Sequence, residues 1–173
     1  YKTEEIVSMA SKGRVATRTK QISIGGKSTP ERFDKWLKDL MKAEDWGVGM
    51  THGINYGYDA FKSPSLFWEH LDKVKSMEDQ IWVGTFCEVA SYIKEREEIQ
   101  LKVSNKKNGM TIIPKLKLDR KLFAEPLTMV IQGETMNGIL VKQGRKELPV
   151  YINGNKVMFD FNPYGGTIKI HFN

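Results

Sequence analysis

Cysteine is almost absent from this chain. Cys87 is the only one in 173 residues, so no disulfide can close within the chain and no zinc site can be built on thiolates. Histidine is scarce too, limited to His52, His70 and His171. No apolar run approaches the roughly 20 residues of a membrane-spanning helix. No secretory signal pattern stands at the start, and the chain opens on Tyr1, not Met, as a processed or excised piece would. A nucleic-acid motif is also missing. The net charge is +6, but the basic residues are spread among acids. The densest clusters, Lys106-Lys107 and Lys115 to Lys121, read as solvated strand edges. What remains is globular, since 40% hydrophobic and 28% charged residues exclude a disordered chain. The length suits one ordinary domain or two small ones.

Residues 1–97 alternate between helical and strand patterns. Thr3 to Lys12 reads as a helix capped by Gly13, and Arg14 to Arg18 as a short strand. A loop with Gly25-Gly26 leads to Ser28-Thr29-Pro30-Glu31. There Ser28 can cap a helix and Glu31 can complete a capping box. Phe33, Trp36, Leu37, Leu40 and Met41 then mark one apolar helical face. Trp46 to Thr51 reads as a buried strand that ends on His52 and a glycine-rich loop, Gly53 to Tyr58. Ser63-Pro64 starts a further helix with Phe67, Leu71 and Val74 inside. Gln80 to Thr85 reads as a third strand, and a last helix runs from Thr85 to about Glu98. This order predicts an α/β fold with parallel strands covered by helices.

The period changes near Ile99. Residues 98–173 show seven short strand patterns separated by Gly turns such as Asn108-Gly109, Asn137-Gly138 and Asn153-Gly154. That spacing predicts a small all-β sandwich domain. A size problem follows for residues 1–97. Three parallel strands cannot close a barrel, which takes about 200 residues. The segment therefore reads as the C-terminal half of a larger (β/α) barrel whose other strands precede Tyr1.

His52 carries the functional signal in the residues themselves. A barrel strand that ends on a polar side chain presents it at the catalytic, C-terminal face, and imidazole titrates near neutral pH. A plain loop histidine is the alternative. His70 reads as a surface residue in mid-helix and His171 as a packing residue on the last strand. Trp36 and Trp82 read as core, and Trp46 as packing.

The run Met50-Thr51-His52-Gly53-Ile54, with the helix before it and Trp82-Val83-Gly84-Thr85-Phe86 after it, resembles the C-terminal part of polysaccharide deacetylases. These are of the NodB-homology type, carbohydrate esterase family 4. Glu125-Pro126-Leu127-Thr128 and Phe159 to Gly166 are similar to the β-sandwich appended in some bacterial members. Met50-Thr51-His52 is similar to that family's late Leu-x-His motif, with Met for Leu. The resemblance implies a hydrolase that removes N- or O-acetyl groups from a polysaccharide or oligosaccharide, in an extracytoplasmic setting (periplasmic, cell-surface or secreted). It implies that His52 is the general acid. It also implies a divalent metal cofactor, with zinc the expected ion. The family's acidic motif and its His-x-x-x-His pair have no counterpart in this sequence. The metal ligands and the catalytic base are thus expected in the N-terminal half of the same domain, with none in this chain. Arg18, at the end of its strand, is a candidate for orienting a carboxylate or for substrate binding, or is a plain surface arginine. Tyr56 and Tyr58 are candidates for stacking on a sugar, or are loop anchors. The competing function is a non-catalytic carbohydrate-binding or scaffold protein with a degenerate barrel.

Overall fold

The computed structural model describes residues 21–133 and 138–172. The helix expected over Thr3 to Lys12, the strand Arg14 to Arg18 and Arg18 itself lie outside these residues. The chain divides between Phe86 and Cys87 into two compact units. The division falls ahead of the boundary expected at residue 97, because the helix that starts at Phe86 packs within the second unit.

The first unit is a β–α–β–α arrangement. Strand β1 is Gln21–Ser23, helix α1 is Pro30–Ala43, strand β2 is Val48–Met50 and helix α2 is Pro64–Lys75. β1 and β2 pair in parallel, with Gln21 opposite Val48 and Ser23 opposite Met50. The cap of α1 is Thr29, not Ser28: its Oγ1 accepts the Arg32 amide at 3.2 Å. Pro30, which lacks an N–H and suits the first helical position, sets this one-residue shift. Ser28 is used differently. Its Oγ accepts the Gly25 amide at 3.0 Å and its own amide donates to the Gly25 carbonyl at 2.9 Å.

Phe33 and Leu37 are the buried residues of α1. Phe33 joins Ile24 and Phe61 in a small core flanked by Ile22, Trp36, Leu66 and Phe67. Met41, expected inside, is exposed. On α2 the outcome for histidine reverses the expectation. His70 is buried and Leu71 is exposed. The His70 ring stacks on Phe33 with centroids 4.0 Å apart, and Trp36 lies 6.1 Å away. The spacing explains this: His70 follows Phe67 by three and Leu66 by four, so it falls on their face of the helix. Its Nδ1 has no hydrogen-bond partner. Lys73 and Asp34, the charges beside it, pair at 2.6 Å between the two helices.

The third strand expected over Gln80 to Thr85 is not formed. Residues 81–85 have no regular secondary structure, and Trp82, expected in the core, is 56% exposed beside a largely exposed Val83. A parallel strand needs a neighbour to receive its backbone groups. Among the described residues of this unit the parallel sheet has only two strands, so the helices cover a parallel pair and not a closed barrel.

The division leaves all but the first residue of α3, Phe86–Glu98, in the second unit. Two antiparallel sheets follow. One has the order β3-β4-β10-β6-β7, built from Gln100–Lys106, Gly109–Lys115, Ile168–His171, Leu140–Gln143 and Lys146–Glu147. The other has the order β5-β9-β8, from Leu127–Gln132, Lys156–Phe161 and Tyr151–Asn153. Ile112, Val141, Ile168 and Ile170 of the first sheet share one core with Leu127, Val157, Phe159 and Phe161 of the second. This agrees with the switch to two-residue periodicity. The hairpin signal is offset by one residue. The β8–β9 register, Asn153 opposite Lys156, makes Gly154-Asn155 the turn, not Asn153-Gly154. Gly154, at φ 59, takes the left-handed first position that such two-residue turns reserve for glycine.

Two buried polar side chains hold loops to this core. Gln143 donates to the Asn162 carbonyl at 2.7 Å and accepts the Asn162 amide at 3.0 Å. Glu95, on the inner face of α3, has no exposed surface. Its Oε1 accepts the Glu125 amide at 3.0 Å, while Oε2 has no partner.

Burial raises the Glu95 carboxyl above its ordinary 4.5, against the Glu125 N–H, which favours the charged form. The folded state therefore binds the proton more tightly than the unfolded chain. The contribution of Glu95 to the stability of the second unit is expected to be fullest below pH 4.5 and to be lost as pH rises through the raised value. Urea unfolding across this range checks it, and Glu95→Gln should flatten the dependence while keeping the bond to Glu125.

Burial pushes His70 the other way, below its ordinary 6.5, with Asp34 partly opposing and Lys73 assisting. Here the unfolded chain binds the proton more readily. The first unit is expected to keep its full stability above pH 6.5 and to lose part of it as pH falls toward the lowered value. The His70 imidazole resonances, followed by NMR through the same range, should turn to those of the charged ring at a lower pH than those of a free histidine.

Candidate functional site

The two parallel strands end level with each other, and the Ile24 amide extends the pairing by donating to the Met50 carbonyl at 2.8 Å. The loop after β1 and the loop after β2 therefore leave from the same end. This is the end at which open parallel sheets place ligands and catalytic groups. His52 is the second residue beyond β2, and its side chain is exposed. The strand before it is half-buried to exposed, not the buried strand expected from its apolar residues. Gly49 at its centre, and Gly47 just before it, have no side chain to bury.

The His52 loop is shaped by its own short contacts. Thr51 Oγ1 accepts the Gly53 amide at 3.3 Å and donates to the Gly53 carbonyl at 3.0 Å. A Cβ on Gly53 would stand 2.0 Å from the Tyr56 carbonyl oxygen. Glycine here thus allows the loop to fold on itself, which is more than clearing space for the imidazole. Tyr58 meets His52 edge to face, with centroids 5.3 Å apart and planes at 80°, a favoured aromatic geometry. Tyr56 and Tyr58 are 89% and 81% exposed. Both are free to meet a ligand face, and Tyr58 is also the ring beside the candidate acid. Trp46, at the start of this segment, packs 4.9 Å from Phe86, as a packing residue should. Arg18 lies outside the described residues; of the other three candidates the structure sets Tyr58 against His52, while Tyr56 shares their loop and is exposed.

Asp59 closes the loop, and composition and spacing had not singled it out. Its backbone is left-handed, at φ 53. Oδ1 and the carbonyl oxygen both accept from the Gly26 amide at 3.1 Å, and Oδ2 accepts from Ser23 Oγ at 3.3 Å. Arg32 adds to the same turn, donating to the carbonyls of Ser23 and Lys27 at 3.3 Å. The legible signals were the paired glycines, which permit close backbone approach, and an aspartate, which tolerates this conformation better than most residues.

Among the described residues, no group of three or more His, Cys, Asp and Glu side chains is placed to hold a metal ion. No helix among them is long and apolar enough to cross a membrane. Comparison of the chain with protein-family models, with curated proteins and with solved structures gave no match.

The close approach at Gly25 can be tested directly. A Cβ there would lie 2.1 Å from the Asp59 carbonyl oxygen, a clash that only a backbone shift can relieve. Gly25→Ala is expected to destabilise the first unit by about 1–3 kcal/mol, as overpacking does. Urea unfolding of the full chain measures it.

Proposed function

We propose that this chain is the C-terminal part of a metal-dependent polysaccharide deacetylase of NodB type, and that His52 is its general acid. The observation that carries the reading is the place of His52. It stands exposed just beyond the C-terminal end of a parallel strand, with exposed tyrosines on its own loop. The resemblance of Met50-Thr51-His52 to the family's late motif adds to it. The unclosed parallel pair, and the exposed Trp82 and Val83 beyond it, suit a sheet that continues into strands supplied from the N-terminal half of the same barrel.

In this reading His52 enters the step as imidazolium. As the tetrahedral centre on the acetyl carbon collapses, its bond to the sugar nitrogen or oxygen breaks. The leaving atom takes the electron pair and receives the proton from His52, which becomes neutral. Acetate and a free amine or hydroxyl on the glycan are the products. Such proton transfer is worth about 10²–10⁴ in rate. The described residues do not fit a divalent metal, zinc included, so no step here passes through one. In the proposal its ligands and the carboxylate base belong to the other half. Tyr56 and Tyr58 offer apolar ring faces to sugar rings. An acetylated glycan outside the cytoplasm of a bacterium is the matching substrate and setting.

The test uses the complete protein and an N-acetylated oligosaccharide, with acetate release as the readout. His52→Ala should lower kcat by about 10²–10⁴ with metal content unchanged. An unchanged rate would remove the assignment of His52. Oligosaccharide binding by the wild type without acetate release would instead favour the non-catalytic carbohydrate-binding reading. An Asp-Asp motif and a His-x-x-x-His pair ahead of Tyr1 in the parent sequence would support the enzyme.

A further inference from the structure

We infer that Asp59 is the positioning residue for His52, acting through Tyr58. The inference rests on the reading of His52 as the general acid. Among the described residues, the contact recorded for the His52 ring is the edge-on ring of Tyr58, with centroids 5.3 Å apart. Tyr58 is 81% exposed, so packing does not hold it. The backbone that carries it is fixed at the next residue. Asp59 meets the β1 loop through both carboxylate oxygens and its carbonyl, on the Gly26 amide and the Ser23 hydroxyl.

The geometry suits this residue type. At φ 53 the backbone of Asp59 lies where most side chains are strained and where Asp, Asn and Gly are best tolerated. The carboxylate offers two acceptors to two donors that come from one loop. Gly25, with no side chain, lets the Asp59 carbonyl come close. The His52 loop is thus pinned at both ends. Thr51 and Gly53 close the start beside β2, and Asp59 closes the end beside β1. The proton donor between them keeps its place relative to both strands. A misplacement of about 1 Å in such a group costs about 10²-fold in rate.

Three variants separate the carboxylate from the backbone. Asp59→Asn keeps an acceptor for Gly26 and tolerates the same φ. Asp59→Gly keeps the φ and removes the side chain. Asp59→Ala removes the side chain and strains the backbone. In the full chain, the nuclear Overhauser contact between the His52 imidazole and the Tyr58 ring should survive in Asn and be lost in both Gly and Ala. In the complete protein, acetate release should fall about 10–100-fold in Gly and Ala, with Asn within a few-fold of wild type. If Gly retains the ring contact and the rate, the carboxylate has no positioning role and the inference fails. If Ala fails to fold, the Asn and Gly pair still decides. Loss of the contact in Gly and Ala, with no acetate release from any form including the wild type, supports the placement and sinks only the deacetylase reading.

Discussion

The parallel pairing of β1 with β2 is the constraint from which the candidate site follows. Two parallel strands in register must send both of their outgoing loops from the same end. Here that end brings Ser23 to Gly26 against Asp59, and with Asp59 the segment that bears His52, Tyr56 and Tyr58. An antiparallel pair would have sent the second loop to the opposite end and left Gly25-Gly26 with nothing to meet. The helix between the strands serves the same arrangement. Phe33 anchors it on Ile24 and Phe61, which lie on the two loops that come together.

Much of this was legible in the residues, and the departures have local causes. The amphipathic face of α1 was readable because five apolar residues repeat with helical period. Its cap moved by one residue because Pro30 dictates where the first turn begins. His70 reads as a surface residue by type, but its spacing from Leu66 and Phe67 puts it inside; period outweighs polarity. The strand at Gln80 to Thr85 failed for a non-local reason. Its apolar residues favour a strand, but a strand is made by its neighbour. Asp59 was illegible for the same kind of reason. Its partners are 33 and 36 residues away, and only the folded register brings them near. His52 was readable because its signal, a polar residue just past an apolar strand, is entirely local.

The second unit shows two ways to bury a polar group. Gln143 presents a donor and an acceptor to the same residue, Asn162, and both are used. An amide is neutral at every pH, so this bridge is insensitive to acid. Glu95 presents two acceptors and has one donor to receive. Protonation removes the charge that burial disfavours, so the stability that Glu95 contributes depends on pH where the Gln143 bridge does not. Among antiparallel strands with turns this short, the hydrophobic pattern alone locates the shared core. The polar pins that hold its loops are set by pairing across the sheets.

The ends of the five-stranded sheet have a consequence for how the protein behaves in a crowd. β3 is exposed along its whole length, with Leu101 and Val103 in solvent. An exposed, partly apolar outer strand invites a strand from another molecule. On β3 the apolar pair is interrupted and followed by Lys102 and Lys106, and the far side of the sheet closes on β7, which is two residues long and carries Lys146. A second copy adding itself edge to edge would set lysine against lysine on one side and find almost no strand to grip on the other. Edge-to-edge association is thus opposed at the borders that the described residues form, by charge at one edge and by brevity at the other.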